Sequence, residues 1–316
     1  MTSVGEPALE ARRCPGCGSE DDSQVLHEAR LDYERLGAFA YASRKVPEYM
    51  HHRLVACPRC RLVYASPAPP VRALEVAYRE AAYDSGEEAE YASATYGALL
   101  GRVMPELPEH GGALDIGAGD GAFLRRLRAA GFDDVVGVEP SAAPVAGAAD
   151  DVRPFLRLAP FRADDFEAGR FRLVTVFQTL EHVADPLELC RAAHGLLAPG
   201  GALLVVCHNR RAVVNRVLGR RSPIFDVEHL QLFSPDSLEA LLERAGFSPV
   251  RLLPLRNRYP LRYWVRLLPL PERLKDAATM VLRRVRLEAL PLTLPVGNFV
   301  AVAFKSGSGS AGPPPK

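Results

Sequence analysis

The sequence predicts an α/β protein built on a mainly parallel sheet, with a small cysteine-rich region ahead of it. Three observations carry this. Residues 112–250 alternate short apolar runs with helical patterns, the signature of βα units. The first run, Ala113-Leu114-Asp115-Ile116, feeds a turn holding Gly117, Gly119 and Gly121, and a helix starts at once. Four of the six cysteines fall in two Cys-x-x-Cys pairs, Cys14/Cys17 and Cys57/Cys60.

Taken in order, residues 1–70 carry the cysteine pairs and end in a Pro-rich hinge, Ser66-Pro67-Ala68-Pro69-Pro70; they are expected to form a zinc-binding N-terminal domain. Residues 71–111 read as a helical lid or linker, with helices from Val71 to Ala82 and from Tyr91 to Met104, and hold eight carboxylates against three arginines. Within 112–250, helix Ala122 to Ala130 stops at Gly131, and strand two is Val135 to Glu139. Strand three lies somewhere in Phe155 to Asp165, and strand four is Leu173 to Phe177. Helix Pro186 to Leu197 ends at Pro199-Gly200-Gly201, before strand five, Ala202 to Cys207. Helix Pro235 to Ala245 stops at Gly246. Residues 251–305 are expected to complete the sheet with a sixth strand (Val250 to Leu255), a helical cap and a last strand, Asn298 to Phe304. Residues 306–316, rich in Gly, Ser and Pro, read as a disordered tail.

Bulk properties narrow the class. The chain has 316 residues, 48% hydrophobic content and a formal net charge of +1, so no global charge draws it to nucleic acid or an anionic surface. No apolar run approaches the ~20 residues of a membrane helix. The first 30 residues include six acids and no apolar stretch, unlike a signal peptide, so a cytoplasmic location is the expectation.

The glycine turn is the strongest chemical signal. Glycine lets a ligand approach the backbone, and the helix N-terminus points N–H groups at it. Glu139 follows Gly121 by eighteen residues, at the end of the second strand, where an acid accepts from ribose hydroxyls. The turn alone also fits a dinucleotide fingerprint. Two features tilt the reading away from NAD: Asp115 just before the turn, and the run Gln178-Thr179-Leu180-Glu181-His182-Val183-Ala184-Asp185-Pro186 after the fourth strand.

With these pieces, LDIGAGDG, VVGVEPS, FRLVTVFQTLEHVADP and LLAPGGALLV, residues 113–208 resemble a class I S-adenosylmethionine-dependent methyltransferase. The resemblance implies a Rossmann-like, seven-stranded sheet whose last strand is antiparallel. It implies that Gly117, Gly119 and Gly121 line the methionine and ribose parts of the cofactor. Asp115 would hold the amino-acid moiety, Glu139 the ribose hydroxyls and Asp164 or Asp165 the adenine amine, with Gln178 and Thr179 where the methyl is presented. Arg172 departs from the Asp that relatives often carry there. Together with Leu62-Val63-Tyr64-Ala65-Ser66-Pro67, Asn257-Arg258-Tyr259-Pro260 and Gly297-Asn298, the cysteine pattern resembles a bacterial subfamily whose members accompany sugar, polysaccharide or natural-product pathways.

Each Cys-x-x-Cys lets two thiolates reach one ion, and two pairs complete a tetrahedron. Cys14, Cys17, Cys57 and Cys60 are therefore expected to hold a structural zinc; four thiolates leave no open position for catalysis. Unligated thiols or a redox pair are the alternatives. His51 and His52 read as surface or packing residues.

Methyl transfer to a hydroxyl benefits from a positioned general base. His182, after the fourth strand, and His229, in Asp226-Val227-Glu228-His229-Leu230-Gln231-Leu232-Phe233, are the candidates; His194 and His208 read as structural. Tyr78, Tyr83, Tyr91 and Tyr96 belong to the segment expected to fold over the cofactor. Residues 251–305 carry eleven basic residues against three acids, a balance of +8, which points to an anionic acceptor. The expected function is O-methylation of a small molecule, a sugar or natural-product intermediate. Carbon or nitrogen methylation stays open, as does RNA methylation with the zinc region as reader. Nucleic acid is disfavoured because residues 1–70 hold nine basic and nine acidic groups.

Overall fold

The computed structural model describes residues 8–43 and 46–307. All but the first residues of the expected disordered tail lie outside them.

The N-terminal region contributes three strands, β1 (Gln24–His27), β2 (Leu54–Ala56) and β3 (Val63–Ala65). Helices α1 (Val71–Glu80) and α2 (Gly86–Val103) follow. The βα units then begin: β4 (Gly112–Ile116), α3 (Ala122–Ala129), β5 (Asp134–Glu139), α4 (Ala142–Ala146), β6 (Leu156–Leu158), β7 (Phe171–Phe177), α5 (Pro186–Leu196) and β8 (Leu197–His208). After them come α6 (Val213–Leu218), β9 (Gln231–Leu232), α7 (Pro235–Arg244), β10 (Val250–Pro254), β11 (Asn257–Pro260), α8 (Leu261–Leu267), α9 (Glu272–Arg284), β12 (Pro291–Leu294) and β13 (Asn298–Phe304).

The central sheet has seven strands in the order β10-β13-β8-β7-β4-β5-β6. Pairings from β6 across to β8 are parallel, and β13 runs antiparallel to both its neighbours. This is the Rossmann-like methyltransferase sheet the resemblance implies. Strand order reverses between β4 and β7, which opens a crevice at their carboxyl ends.

The period of two along each strand sorts residues to the two faces. In β8, Ala202, Leu204 and Val206 pack on the α2/α3 side, while Leu203, Val205 and Cys207 pack on the α5/α7 side. In β7 the pairing register shifts between Phe171 and Leu173. Phe171 therefore shares a face with Val174 and Val176, although an odd number of residues separates it from each. Arg172 sits at that irregularity, at the amino end of the strand, bonded to Pro199 O (2.9 Å) and ion-paired with Glu109. Its departure from the family pattern is thus remote from the crevice.

The cysteine-rich region is packed into the rest of the chain. Cys14, Val55, Cys57, Leu62 and Tyr64 belong to the same buried cluster as Leu114, Val174 and Leu203. Strand β3 pairs with β9, making a second sheet β1-β2-β3-β9. The Arg12 guanidinium donates to Ala65 O, Leu230 O, Ala184 O and Gln231 Oε1 at 2.6–3.3 Å. Gln231 in turn donates to Leu180 O and Val183 O, both at 2.7 Å. The C-terminal segment holds a β11–β12 hairpin as well as the expected helices. No described helix is long and apolar enough to cross a membrane.

Candidate active site

A cavity of about 900 Å³ opens at the carboxyl ends of β4, β5 and β7. The glycine turn forms one wall. Gly117, Gly119 and Gly121 all have positive φ (79°, 57° and 77°), which other residues adopt at a cost. Their surroundings differ. A Cβ on Gly117 would lie 2.3 Å from Thr179 Oγ1, so this glycine lets the β4 and β7 loops touch. A Cβ on Gly119 would meet nothing within 4 Å, so the backbone there is open to the cavity. Gly121 faces away from the cavity; its Cβ would crowd Leu156 at 3.0 Å.

Glu139 ends β5 beside this turn. One carboxylate oxygen accepts from Gly119 N (2.8 Å) and the other from Ser141 N (2.9 Å). Asp115 is buried at the end of β4 and accepts from the Thr175 hydroxyl (2.6 Å). Gln178, at a φ of 53°, directs an amide nitrogen that is buried and without a hydrogen-bond partner among the described residues. Thr179 Oγ1 donates to Phe177 O (3.0 Å). Asp115, Gly117, Gly119, Glu139, Gln178 and Thr179 all line the cavity. Asp164 and Asp165 do not: both are exposed, and Pro160, Phe161 and Ala163 line that end instead. Sequence reasoning also missed Asp120, whose carboxylate accepts from Tyr83 OH (2.8 Å) and Ala122 N (3.1 Å), tying the segment before α2 to the turn.

Three imidazoles, His182, His208 and His229, also line the cavity. His182 Nδ1 lies 3.3 Å from Glu228 O and 3.6 Å from Glu228 Oε2. His229 Nδ1 donates to Ile224 O (2.9 Å). The His229 ring centroid is 4.9 Å from that of His182 and 5.3 Å from that of His208. Burial, reinforced by the two neighbouring imidazoles, pushes the His229 pKa down to about 3, so its ring is neutral. Glu181 is 1% exposed, and one of its oxygens accepts from His208 N (2.7 Å) and lies 3.2 Å from His208 Nδ1. Burial alone would raise the Glu181 pKa. The His208 hydrogen bond, with the neighbouring imidazoles of His208 and His182, outweighs it and holds the carboxyl at about 2. His208, expected to be structural, therefore faces the cavity in a histidine–carboxylate pair that only the β7–β8 pairing creates. Ligand atoms of His182, Glu228 and His229 lie within 4.8 Å of one another, close enough to share a cation.

The family model described as "Methyltransferase domain" matches residues 88–252. The chain belongs to this family. It carries a methyltransferase domain. Among curated relatives, a ubiquinone biosynthesis O-methyltransferase from Cereibacter sphaeroides is 33% identical over 43% of this chain and 60% of that protein. One from Psychrobacter arcticus is 28% identical over 48% and 65%. A tRNA U34 carboxymethyltransferase from Methylococcus capsulatus is 31% identical over 44% and 45%. The chain thus spans only part of each of these relatives, between 45% and 65% of their lengths. The solved structure of YcgJ from Bacillus subtilis has a TM-score of 0.47 and 18% identity over 66% of this chain and 98% of its own. That of the [4+2]-cyclase SpnF has a TM-score of 0.43 and 21% identity over 67% and 81%.

The cavity of this domain fits S-adenosylmethionine. The open backbone at Gly119, the carboxylate of Glu139 and the unpartnered Gln178 amide offer both donors and acceptors to a polar ligand. The four cysteines fit a zinc ion. Cys14 Sγ and Cys60 Sγ are 3.4 Å apart, Cys17 Sγ and Cys57 Sγ 3.6 Å, and all four sulfurs lie within 4.8 Å. Tetrahedral zinc with sulfur bonds of about 2.3 Å spaces its sulfurs about 3.8 Å apart. The two knuckles match: Gly18 N donates to Cys14 O (2.7 Å) and Arg61 N to Cys57 O (3.0 Å), both residues at positive φ. Gly16 permits their approach, since a Cβ there would meet Leu62 at 2.9 Å. His51 and His52 are packing residues, each 1% exposed.

None of the eleven basic residues of 251–305 lines the cavity. Several face the acidic segment instead: Arg262 pairs with Glu87, Arg266 with Asp84 (3.4 Å) and Arg251 with Glu106 (2.7 Å). Three of the eleven basic residues are thus answered by residues 71–111 and none stands at the cavity, so the charge of the segment gives no argument for an anionic acceptor there.

Proposed function

We propose that this methyltransferase methylates a hydroxyl of a small-molecule acceptor, a sugar or natural-product intermediate. The observation that carries the reading is the meeting of Glu139 and Gly119 with His182, Glu228 and His229 around one cavity. S-adenosylmethionine would supply an electrophilic methyl group there.

The chain's own residues then divide the work. Glu139, already oriented by two backbone N–H groups, accepts from the ribose hydroxyls. Asp115 holds the amino-acid end. Gly117 keeps the loops in contact, Gly119 allows close approach, and Gly121 supports the turn from behind. Gln178 and Thr179 border the site of transfer. His229, held neutral by burial, is a poor proton acceptor near neutral pH and contacts the acceptor through the ring edge facing the cavity. His182, beside the Glu228 carboxylate, receives the hydroxyl proton as the oxygen–carbon bond forms. Cys14, Cys17, Cys57 and Cys60 hold a structural zinc. Residues 1–70 form the zinc-binding unit, 71–111 the lid, 112–250 the cofactor domain and 251–305 the part completing the sheet.

The test is transfer of a carbon-13 methyl from labelled S-adenosylmethionine into a metabolite extract. The chemical shift of the methyl separates oxygen, nitrogen and carbon products. Label on oxygen, lost in His182→Ala, is the expected result; label on nitrogen or carbon would overturn the assignment.

A further inference from the structure

One end of the cavity is walled by the C-terminal segment, and that wall has a different character from the rest. Tyr259 from β11, Tyr263, Trp264 and Leu267 from α8, and Leu294 and Val296 around the end of β12 line it. The three rings form one cluster, with centroids 4.3 Å (Tyr259–Tyr263), 5.5 Å (Tyr259–Trp264) and 6.0 Å (Tyr263–Trp264) apart. The Trp264 indole N–H is satisfied by Leu292 O at 3.0 Å, so its polar atom is turned to the backbone. Val214 and Leu218 of α6 continue the same lining toward the histidines. The arginines of this segment pair on its outer side with Asp84 and Glu87. The cavity is therefore polar where the imidazoles stand, and rings and aliphatic side chains predominate along this wall, with Asn257 and Asn298 also lining it.

We propose that this wall is the acceptor subsite, and that the acceptor is an uncharged amphiphile: a hydroxyl group set at the histidines on an aromatic or alkyl body that lies against Trp264, Leu267 and Leu294. A sugar laid against Trp264, Leu267 and Leu294 would leave the hydroxyls on that side facing groups with no free donor or acceptor, at a desolvation cost. An apolar body gains from burial on the same surface. The proposal rests on the reading of the histidine wall as the transfer site, and narrows it to the apolar natural-product class.

Trp264 is the only tryptophan in the chain, so its fluorescence reports on this subsite alone. Full-length protein saturated with S-adenosylhomocysteine is titrated with 4-alkylphenols of increasing chain length, and separately with UDP-glucose. The expected result is a change in Trp264 emission with an affinity that rises about fourfold per methylene until the wall is filled, equivalent to about 0.8 kcal/mol each. UDP-glucose leaves the emission unchanged. Leu267→Asp and Leu294→Asp, each checked for unaltered S-adenosylhomocysteine binding, weaken the longer alkylphenols at least tenfold. An affinity independent of chain length overturns the proposal, as does UDP-glucose binding better than the phenols. So does retention of full alkylphenol affinity in both variants. Failure of wild-type protein to bind S-adenosylhomocysteine would instead strike the cofactor reading, and leaves the chain-length series in its absence as a separate answer on the wall.

Discussion

Replacing Glu139 by Gln tests the cofactor site at its most exposed assumption. The side chain keeps its size, but the carboxylate now accepts from Gly119 N at 2.8 Å and from Ser141 N at 2.9 Å. An amide can serve only one of these donors with its oxygen; its NH₂ must face the other. The remaining lone pairs of the carboxylate are the ones available to ribose. Hydrogen bonds to a charged group are worth about 1.5–3 kcal/mol each. Loss of most of two ribose contacts therefore costs about 3 kcal/mol, roughly a hundredfold in affinity at 1.4 kcal/mol per decade. The assay is calorimetric titration with S-adenosylhomocysteine, with circular dichroism to confirm the fold. Asp165→Asn is the paired control, because Asp165 is exposed and off the cavity; it should bind as wild type. A folded Glu139→Gln protein that keeps its affinity within threefold would refute the ribose assignment, and a large loss in Asp165→Asn would return the adenine contact to that residue.

Further outcomes follow from other parts of the fold. Replacing Cys14 and Cys57 together by Ser should release about one zinc per chain, read by metal analysis, and lower the unfolding temperature, since structural zinc contributes folding energy; zinc-free wild-type protein would sink this. Arg12→Met should destabilise the protein by about 3 kcal/mol, because four acceptors, including Ala184 O and Leu230 O, lose their donor; an unchanged denaturant midpoint would show that water replaces it without cost. His52, buried with both ring nitrogens unpartnered among the described residues, has its pKa pushed down to about 4, by burial first and by His51 and Arg12 after it. The unfolded state therefore binds the proton first as pH falls below ~6.5, so stability drops by about 1.4 kcal/mol per unit down to about pH 4 and is flat above pH 6.5. The difference between wild type and His52→Asn across that window measures it, and parallel pH profiles would remove His52 as the cause.

The sequence by itself determined the elements whose signals are local. Apolar runs place β4, β5, β7 and β13 within a residue or two, because a buried strand must be continuously apolar and must end where the backbone turns, whereas β8 begins at Leu197, five residues before its expected start. The turn at Gly117 and the acid at Glu139 were equally legible, since both lie on one βαβ unit. Short, partly exposed strands were not: β6 has three residues and β1 is mostly exposed, too little pattern to mark a register. Tertiary structure alone decided the rest. Gly119 opens to the cavity while Gly121 packs on Leu156, a distinction set by the neighbouring strand. His208 meets Glu181 only because β8 lies beside β7. The loop bearing His229 is held by Arg12 and β3, more than 150 residues earlier in the chain. The basic C-terminal segment suggested an anionic ligand from its charge, yet three of its arginines face Asp84, Glu87 and Glu106, on and around α2. Composition counts charges and periodicity counts neighbours along the chain; which charge meets which acid, and which ring faces the cavity, are set by contacts between residues far apart in sequence.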